Sequence, residues 1–173
     1  MPFDNKFNKI KIVNHFDNSY KNQVINKIYF FIINEPNLSF RSKKEISKRI
    51  DSNEVFCLYN KNQLIGFIFT THLSDKLIEI SGLYISPKFR NQGLSEFLLK
   101  KVTENNNYNY FAATFLKNII KTLNNMGFIK TSFNELSLGE KIKFIGVRFK
   151  IHRIKEVFRH RKKNKLTLMK KEW

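Results

Sequence analysis

The amino-acid sequence predicts an α+β sandwich: a mixed, mainly antiparallel sheet of six or seven strands flanked by about four helices, in the order β-αα-βββ-α-β-α-ββ. Three observations carry that expectation. Short runs rich in β-branched and aromatic residues alternate with stretches whose apolar residues recur at helical spacing. Helix-start and helix-stop residues flank those stretches. The chain has 173 residues, 42% hydrophobic and 27% charged, enough for one sizeable core.

The elements follow in order. Phe7 to Val13 reads as a strand. Asn18 or Ser19 caps a helix whose apolar positions Val24, Ile25, Ile28 and Ile32 share a face, and Pro36 lies just past its end. Ser42-Lys-Lys-Glu45 is a capping box that opens a second helix. Val55 to Tyr59 and Leu64 to Thr71 form a hairpin across the loop Asn60-Lys-Asn-Gln63, and Leu77 to Ile85 adds a strand after the Ser74-Asp75 turn. A helix begins near Gly93 with Leu94, Phe97, Leu98 and Val102 on one face. Tyr108 to Ala113 is a buried strand. Leu116, Ile119, Ile120 and Leu123 define a helix stopped by Gly127. Strands at Ile129 to Phe133 and Ile142 to Ile151 complete the domain; in the second, Ile145, Val147, Phe149 and Ile151 alternate with Arg148, Lys150 and His152.

Composition narrows the function classes. Cys57 is the single cysteine, inside the apolar run VFCLY, so no internal disulfide and no thiolate zinc site can form. His15, His72, His152 and His160 show no ligand spacing with carboxylates or Cys57, and no metal is expected. The N-terminus lacks the pattern of a secretory signal, and no apolar run is long enough to span a bilayer. A soluble, cytoplasmic protein is expected. The formal charge is +18, and residues 141–173 hold 13 Lys or Arg against Glu156 and Glu172. A field of that sign draws polyanions and the phosphates of a nucleotide-like ligand alike.

Chemistry concentrates at Arg90-Asn91-Gln92-Gly93-Leu94-Ser95, where a strand gives way to a helix. A small residue at a helix start lets backbone N–H groups approach an anion, and the helix dipole adds favourable potential there. The plain structural alternative is a tight turn that needs glycine. The context is broader than the turn. A strand ending Leu83-Tyr84-Ile85-Ser86-Pro87, an aromatic at Phe89, and Arg-x-x-Gly-x-Ser opening an amphipathic helix together resemble the acetyl-CoA motif of the GNAT acetyltransferases, whose usual form is (Q/R)-x-x-G-x-(G/A). The order of elements agrees with that family over nearly the whole domain, and Asn-Met-Gly127-Phe128 resembles its terminal "GF".

The resemblance implies that Leu83, Tyr84 and Ile85 line the pantetheine arm of acetyl-CoA, and that Arg90, Asn91, Gln92, Gly93, Leu94 and Ser95 wrap its pyrophosphate. Ser95 stands where Gly or Ala is usual; it is small, and its hydroxyl can donate to phosphate. The family's tyrosine four residues before the "GF" glycine falls on Leu123 here. Its asparagine near that helix start falls on Leu116, with Asn118 two residues later as the candidate cofactor contact. Family members often place a carboxylate in the strand leading to the cofactor loop, which makes Glu79 the candidate base; alternation puts it on the side of Ser81 and Leu83. A solvent-facing strand residue is the alternative. Tyr84, Tyr110 and His72 are candidates for the missing acid, each also readable as a packing or edge residue. Transfer can also proceed mainly by proximity of amine and thioester.

Residues 1–152 are thus expected to form a GNAT acyltransferase domain, and 153–173 a basic helical tail with Ile154, Val157 and Phe158 at helical spacing. The expected activity is acetyl transfer from acetyl-CoA to a primary amine by direct attack in a ternary complex. Two other readings stay open. One is a catalytically weakened GNAT-fold module that binds RNA or another polyanion through 141–173, motivated by Leu123 and the tail. The other is an acetyltransferase acting on an RNA-linked or ribosomal acceptor.

Overall fold

A computed structural model describes residues 9–148 and 166–172. Seven strands form one mixed sheet in the order β1-β2-β3-β4-β5-β7-β6. By contacts the chain divides into two units, residues 1–69 with 82–99, and residues 70–81 with 100–173.

In the first unit, β1 (Ile10–Val13) runs antiparallel to β2 (Val55–Asn60), and β2 antiparallel to β3 (Gln63–His72). Helix α1 (Asn18–Asn34) buries Val24, Ile25, Ile28 and Ile32, the stripe that the 3.6-residue period marks. Its N-cap is Asp17 rather than Asn18 or Ser19: the Asp17 carbonyl accepts from Tyr20 N and Lys21 N at 2.9 and 3.0 Å. Helix α2 (Lys43–Asp51) starts where expected, with Ser42 Oγ accepting from Glu45 N at 3.2 Å. These helices and strands close over a core that includes Ile28, Ile46, Val55, Cys57, Phe67, Phe69 and Tyr84. Burial pushes the Cys57 thiol far up, so it packs as a small apolar residue. The β2–β3 connection is tighter than the expected four-residue loop. Asn60 pairs with Gln63, leaving a two-residue turn with Lys61 at φ 51°.

In the second unit, the first half of β4 (Leu77–Ile85) pairs parallel with β5 (Asn109–Thr114), β5 antiparallel with β7 (Thr167–Lys171), and β7 antiparallel with β6 (Ile129–Thr131). Leu73, Leu77, Phe111, Leu136 and Phe144 form its core. Helix α3 (Leu94–Val102) begins in the first unit, and α4 (Lys117–Asn125) belongs to the second. Phe128 N and Gly127 N close the end of α4 on Leu123 O and Asn124 O, each at 3.0 Å, the helix stop expected at Gly127.

Two further expectations are corrected. The strand expected at Ile142 to Ile151 is a helix, α5 (Leu138–Arg148), as far as the chain is described. Alternating apolar residues in a basic stretch fit either period, and the cap decides between them. Ser137-Leu-Gly-Glu140 is a capping box, with Ser137 N donating to Glu140 Oε2 at 2.8 Å and Glu140 N to Ser137 Oγ at 3.4 Å. Phe144 then turns inward, edge-on to Phe111 with ring centroids 5.4 Å apart. The second correction concerns the tail. Residues 153–165 lie outside the described residues, and Thr167–Lys171 are not helical but supply β7, with Met169 buried between β5 and β6. The two terminal lysines disguise a strand that inserts into the sheet. Among the described residues no helix is long and apolar enough to cross a membrane.

Candidate functional site

The end of β4 and the loop after it are built by backbone geometry. Ser86 N donates to Ile65 O at 2.7 Å, tying the strand end to β3. A Cβ on Gly66 of β3 would come within 2.7 Å of Ile85 Cδ1 and 2.8 Å of the Tyr84 carbonyl oxygen, so the two strands press closely there. Pro87–Phe89 form a single 3-10 turn, closed by Phe89 N to Ser86 O at 2.8 Å. Arg90 is extended (φ −71°, ψ 164°), Asn91 left-handed (φ 61°) and Gly93 left-handed (φ 83°). Leu94, buried, anchors the first turn of α3, and Phe97 N closes onto Gly93 O at 3.0 Å.

Alternating backbone handedness just before a helix turns successive amide groups toward one concave point, an arrangement that favours anions. The first N–H groups of α3 have no intrahelical acceptor and carry the positive end of the helix dipole. Asn91, Gln92 and Gly93 are exposed and Ser95 half-buried, so the face stays open to a ligand. Of the candidate cofactor residues, Arg90 to Ser95 share this one turn at the start of α3.

The Arg90 side chain is committed elsewhere. Its Nε donates to Ile85 O at 2.9 Å, and its Nη2 lies 2.5 Å from Glu35 Oε2 at the end of α1. The guanidinium is also 5.9 Å from the centre of the Tyr84 ring. Glu35 had no signal in the sequence, because the pair joins residues far apart in the chain.

Leu83 is half-buried, and Tyr84 and Ile85 are buried. Tyr84, 7% exposed, stacks on Phe31 (centroids 4.8 Å) and Phe67 (5.3 Å). Burial raises its phenol pKa, against the lowering effects of Arg90 and a hydrogen bond with Ser86. The ring thus packs on the α1 side, and its phenol is held in the protonated form.

Glu79 is not the solvent-facing residue of the plain alternative. It is 1% exposed, in the half of β4 that pairs with β5, with Phe111 as its register partner. The alternation that groups Glu79 with Ser81 and Leu83 does not run through cleanly, because Gly82 between them is left-handed at φ 59°. An added Cβ there would meet Phe69 Cδ2 at 2.8 Å and Arg41 Nη1 at 3.0 Å. The glycine is a requirement of the strand and was not singled out from sequence.

Asn118 is exposed in the first turn of α4, and its carbonyl accepts from Thr122 Oγ1 at 3.1 Å. Leu116 is the N-cap of that helix, and Leu123, at the family's tyrosine position, is 1% exposed. Of the other acid candidates, Tyr110 is buried with its hydroxyl donating to Asn105 O at 3.1 Å, and burial raises its pKa. His72 is exposed, edge-on to Tyr108 at 5.6 Å. Among the described residues no group of three or more His, Cys, Asp or Glu side chains is placed to hold a metal.

A mixed seven-stranded sheet whose fourth strand feeds a glycine-containing turn at a helix N-terminus is an α/β fold of the acetyltransferase class. Comparison with known proteins makes this specific: the acetyltransferase (GNAT) domain family matches residues 17–148, and the chain belongs to the GNAT acetyltransferases. No curated protein sequence matches it significantly. Among solved structures it resembles N-acetylglutamate synthase from Neisseria gonorrhoeae, complexed with coenzyme A and N-acetyl-glutamate, with TM-score 0.63 and 16% identity over 94% of this chain and 34% of the synthase. This chain spans about a third of the length of that enzyme. A Mycobacterium tuberculosis protein in complex with CoA matches with TM-score 0.69 and 11% identity, over 94% of this chain and 99% of that one. A GNAT family acetyltransferase from Elizabethkingia anophelis with acetyl-CoA bound gives TM-score 0.62 and 17% identity, over 96% and 99%. At such identities the likeness is one of fold.

Proposed function

We propose that this chain is an acetyl-CoA-dependent N-acetyltransferase that passes the acetyl group to a primary amine by direct attack in a ternary complex. The observation that supports the reading is the turn from Arg90 to Ser95, in which Asn91 and Gly93 are left-handed immediately before the start of α3. The amides of that turn and the Ser95 hydroxyl hold the diphosphate, and the backbone of Leu83 to Ile85 runs beside the pantetheine arm. Asn118 remains a candidate contact from α4.

Glu79 takes the base role. Its carboxylate accepts the proton that the amine nitrogen loses as the new C–N bond forms, directly or through a water molecule, and the C–S bond breaks with its electron pair going to sulfur. Leu123 offers no proton to that sulfur; Tyr84 is the candidate side chain for the role, and without it the departing thiolate takes its proton from solvent. Much of the rate then comes from alignment of the two reactants. Leu123 also favours one alternative, a GNAT fold that retains the acyl-CoA site with weakened catalysis. The polyanion-binding reading rests on residues 141–173, of which 149–165 lie outside the described residues.

The test is thiol release from acetyl-CoA in the presence of amino acids, polyamines, peptides and aminoacylated tRNA. Amine-dependent release by the wild-type protein supports the enzyme. Binding of acetyl-CoA without release under any acceptor supports the weakened module instead.

A further inference from the structure

We propose that Glu35, at the end of α1, is a positioning residue for the diphosphate-binding turn. The inference rests on the acyl-CoA reading of that turn. Both oxygens of the Glu35 carboxylate are engaged: Oε1 accepts from Asn37 N at 3.4 Å and Asn37 Nδ2 at 3.1 Å, and Oε2 faces Arg90 Nη2 at 2.5 Å. The Glu35 carbonyl in turn accepts from Leu38 N at 3.0 Å, so the carboxylate projects from a turn that is itself closed. The Glu35 side chain is 15% exposed and that of Arg90 44%, so the carboxylate is held against the protein while the arginine side of the pair faces solvent.

Arg90 joins its own turn to β4 and to the end of α1 through one planar fork. Nε holds the last carbonyl of β4, Nη2 holds the end of α1, and the guanidinium lies near Tyr84, which stacks on Phe31 of α1. The residues that follow, Asn91 to Gly93, are exposed, and the contact from their side chains is Gln92 Nε2 to Lys88 O at 3.5 Å, at the limit of a hydrogen bond. The Arg90 fork is therefore the main side-chain tether of the turn, and Glu35 is what fixes the fork. An anion site made of backbone amides binds well only if the amides are already aimed, since ordering them on binding costs affinity.

The sign of the effect is decisive. A carboxylate close to a diphosphate site repels the ligand by itself, and it also competes for the arginine. If those effects governed, removing the charge would tighten binding. If tethering governs, removing it weakens binding, and only for ligands that carry the diphosphate.

Glu35→Gln is expected to raise the KM for acetyl-CoA about tenfold, equivalent to about 1.4 kcal/mol, while kcat at saturation stays within about twofold. The KM for acetyl-pantetheine, which lacks the diphosphate, stays unchanged. Arg90→Lys keeps the charge but loses the fork, and gives the same pattern should Glu35→Gln fold poorly. Hydrogen exchange at the amides of residues 91–95, measured without ligand, speeds up in both variants. Asp51→Asn removes the ion pair between Lys21 and Asp51, away from the turn, and leaves both KM values unchanged. Unchanged or tighter acetyl-CoA binding by Glu35→Gln, or an equal loss with acetyl-pantetheine, overturns the positioning role alone. Failure of the wild-type protein to bind acetyl-CoA overturns the acyl-CoA reading and the positioning role with it.

Discussion

Glu79 of β4 and Phe111 of β5 are register partners in a parallel strand pair, and both side chains are buried. Neighbours in such a register share a face of the sheet, so both side chains leave the strand pair on the same side. Proton acceptance from the amine is the role proposed for this buried carboxylate.

Glu79→Gln preserves shape and removes the base. Turnover is expected to fall by about 10²- to 10⁴-fold with little change in the KM for acetyl-CoA. Steady-state kinetics at saturating acetyl-CoA reads this out, and full turnover by the variant removes Glu79 from the chemistry.

Gly82 interrupts β4 in a left-handed conformation, with Phe69 and Arg41 close to where a side chain would start. Gly82→Ala is expected to cost roughly 1–3 kcal/mol of stability, from backbone strain and contact together. Urea denaturation measures it; an unchanged midpoint would show that the strand regularises around the alanine without penalty.

The capping box that starts α5 predicts a pH dependence. Burial raises the Glu140 pKa, but Ser137 N, the Ser74 and Ser137 hydroxyls and Lys170 outweigh that, and the carboxyl ends below its ordinary 4.5. A group with a lowered folded pKa adds stability above its unfolded value and loses it as the pH falls through the folded one. Glu140→Gln should therefore be less stable than wild type near neutral pH, and the gap should close as the pH drops below about 4.5. Ser137→Ala should cost about 1 kcal/mol near neutral pH. Parallel thermal melts at neutral and acid pH check both, and a gap that stays constant across the range would speak against the capping role.

What was legible in the sequence was what local chemistry determines. The Arg90 to Ser95 turn, the buried stripe of α1, the Ser42 cap and the Gly127 stop each depend on residues within a few positions, and each appears as expected. The seventh strand did not, because Thr167–Lys171 are held by partners in β5 and β6 that sequence spacing does not reveal. Helix α5 was legible in principle: Ser137 and Glu140 announce it, but the apolar alternation further on competed with that signal. The link between Glu35 and Arg90 and the burial of Glu79 are products of the assembled sheet and helices. Only the fold brings those groups together.

The central claim is that the turn around Gly93 binds the diphosphate of acetyl-CoA, and isothermal titration calorimetry tests it most directly. Gly93→Glu places a β-carbon and a negative charge where the backbone needs φ 83° and the ligand needs open amides. The wild-type protein is predicted to bind one acetyl-CoA per chain, and Gly93→Glu, folded by circular dichroism, to show no measurable heat of binding. Equal binding by both proteins, or none by the wild type, would contradict the account.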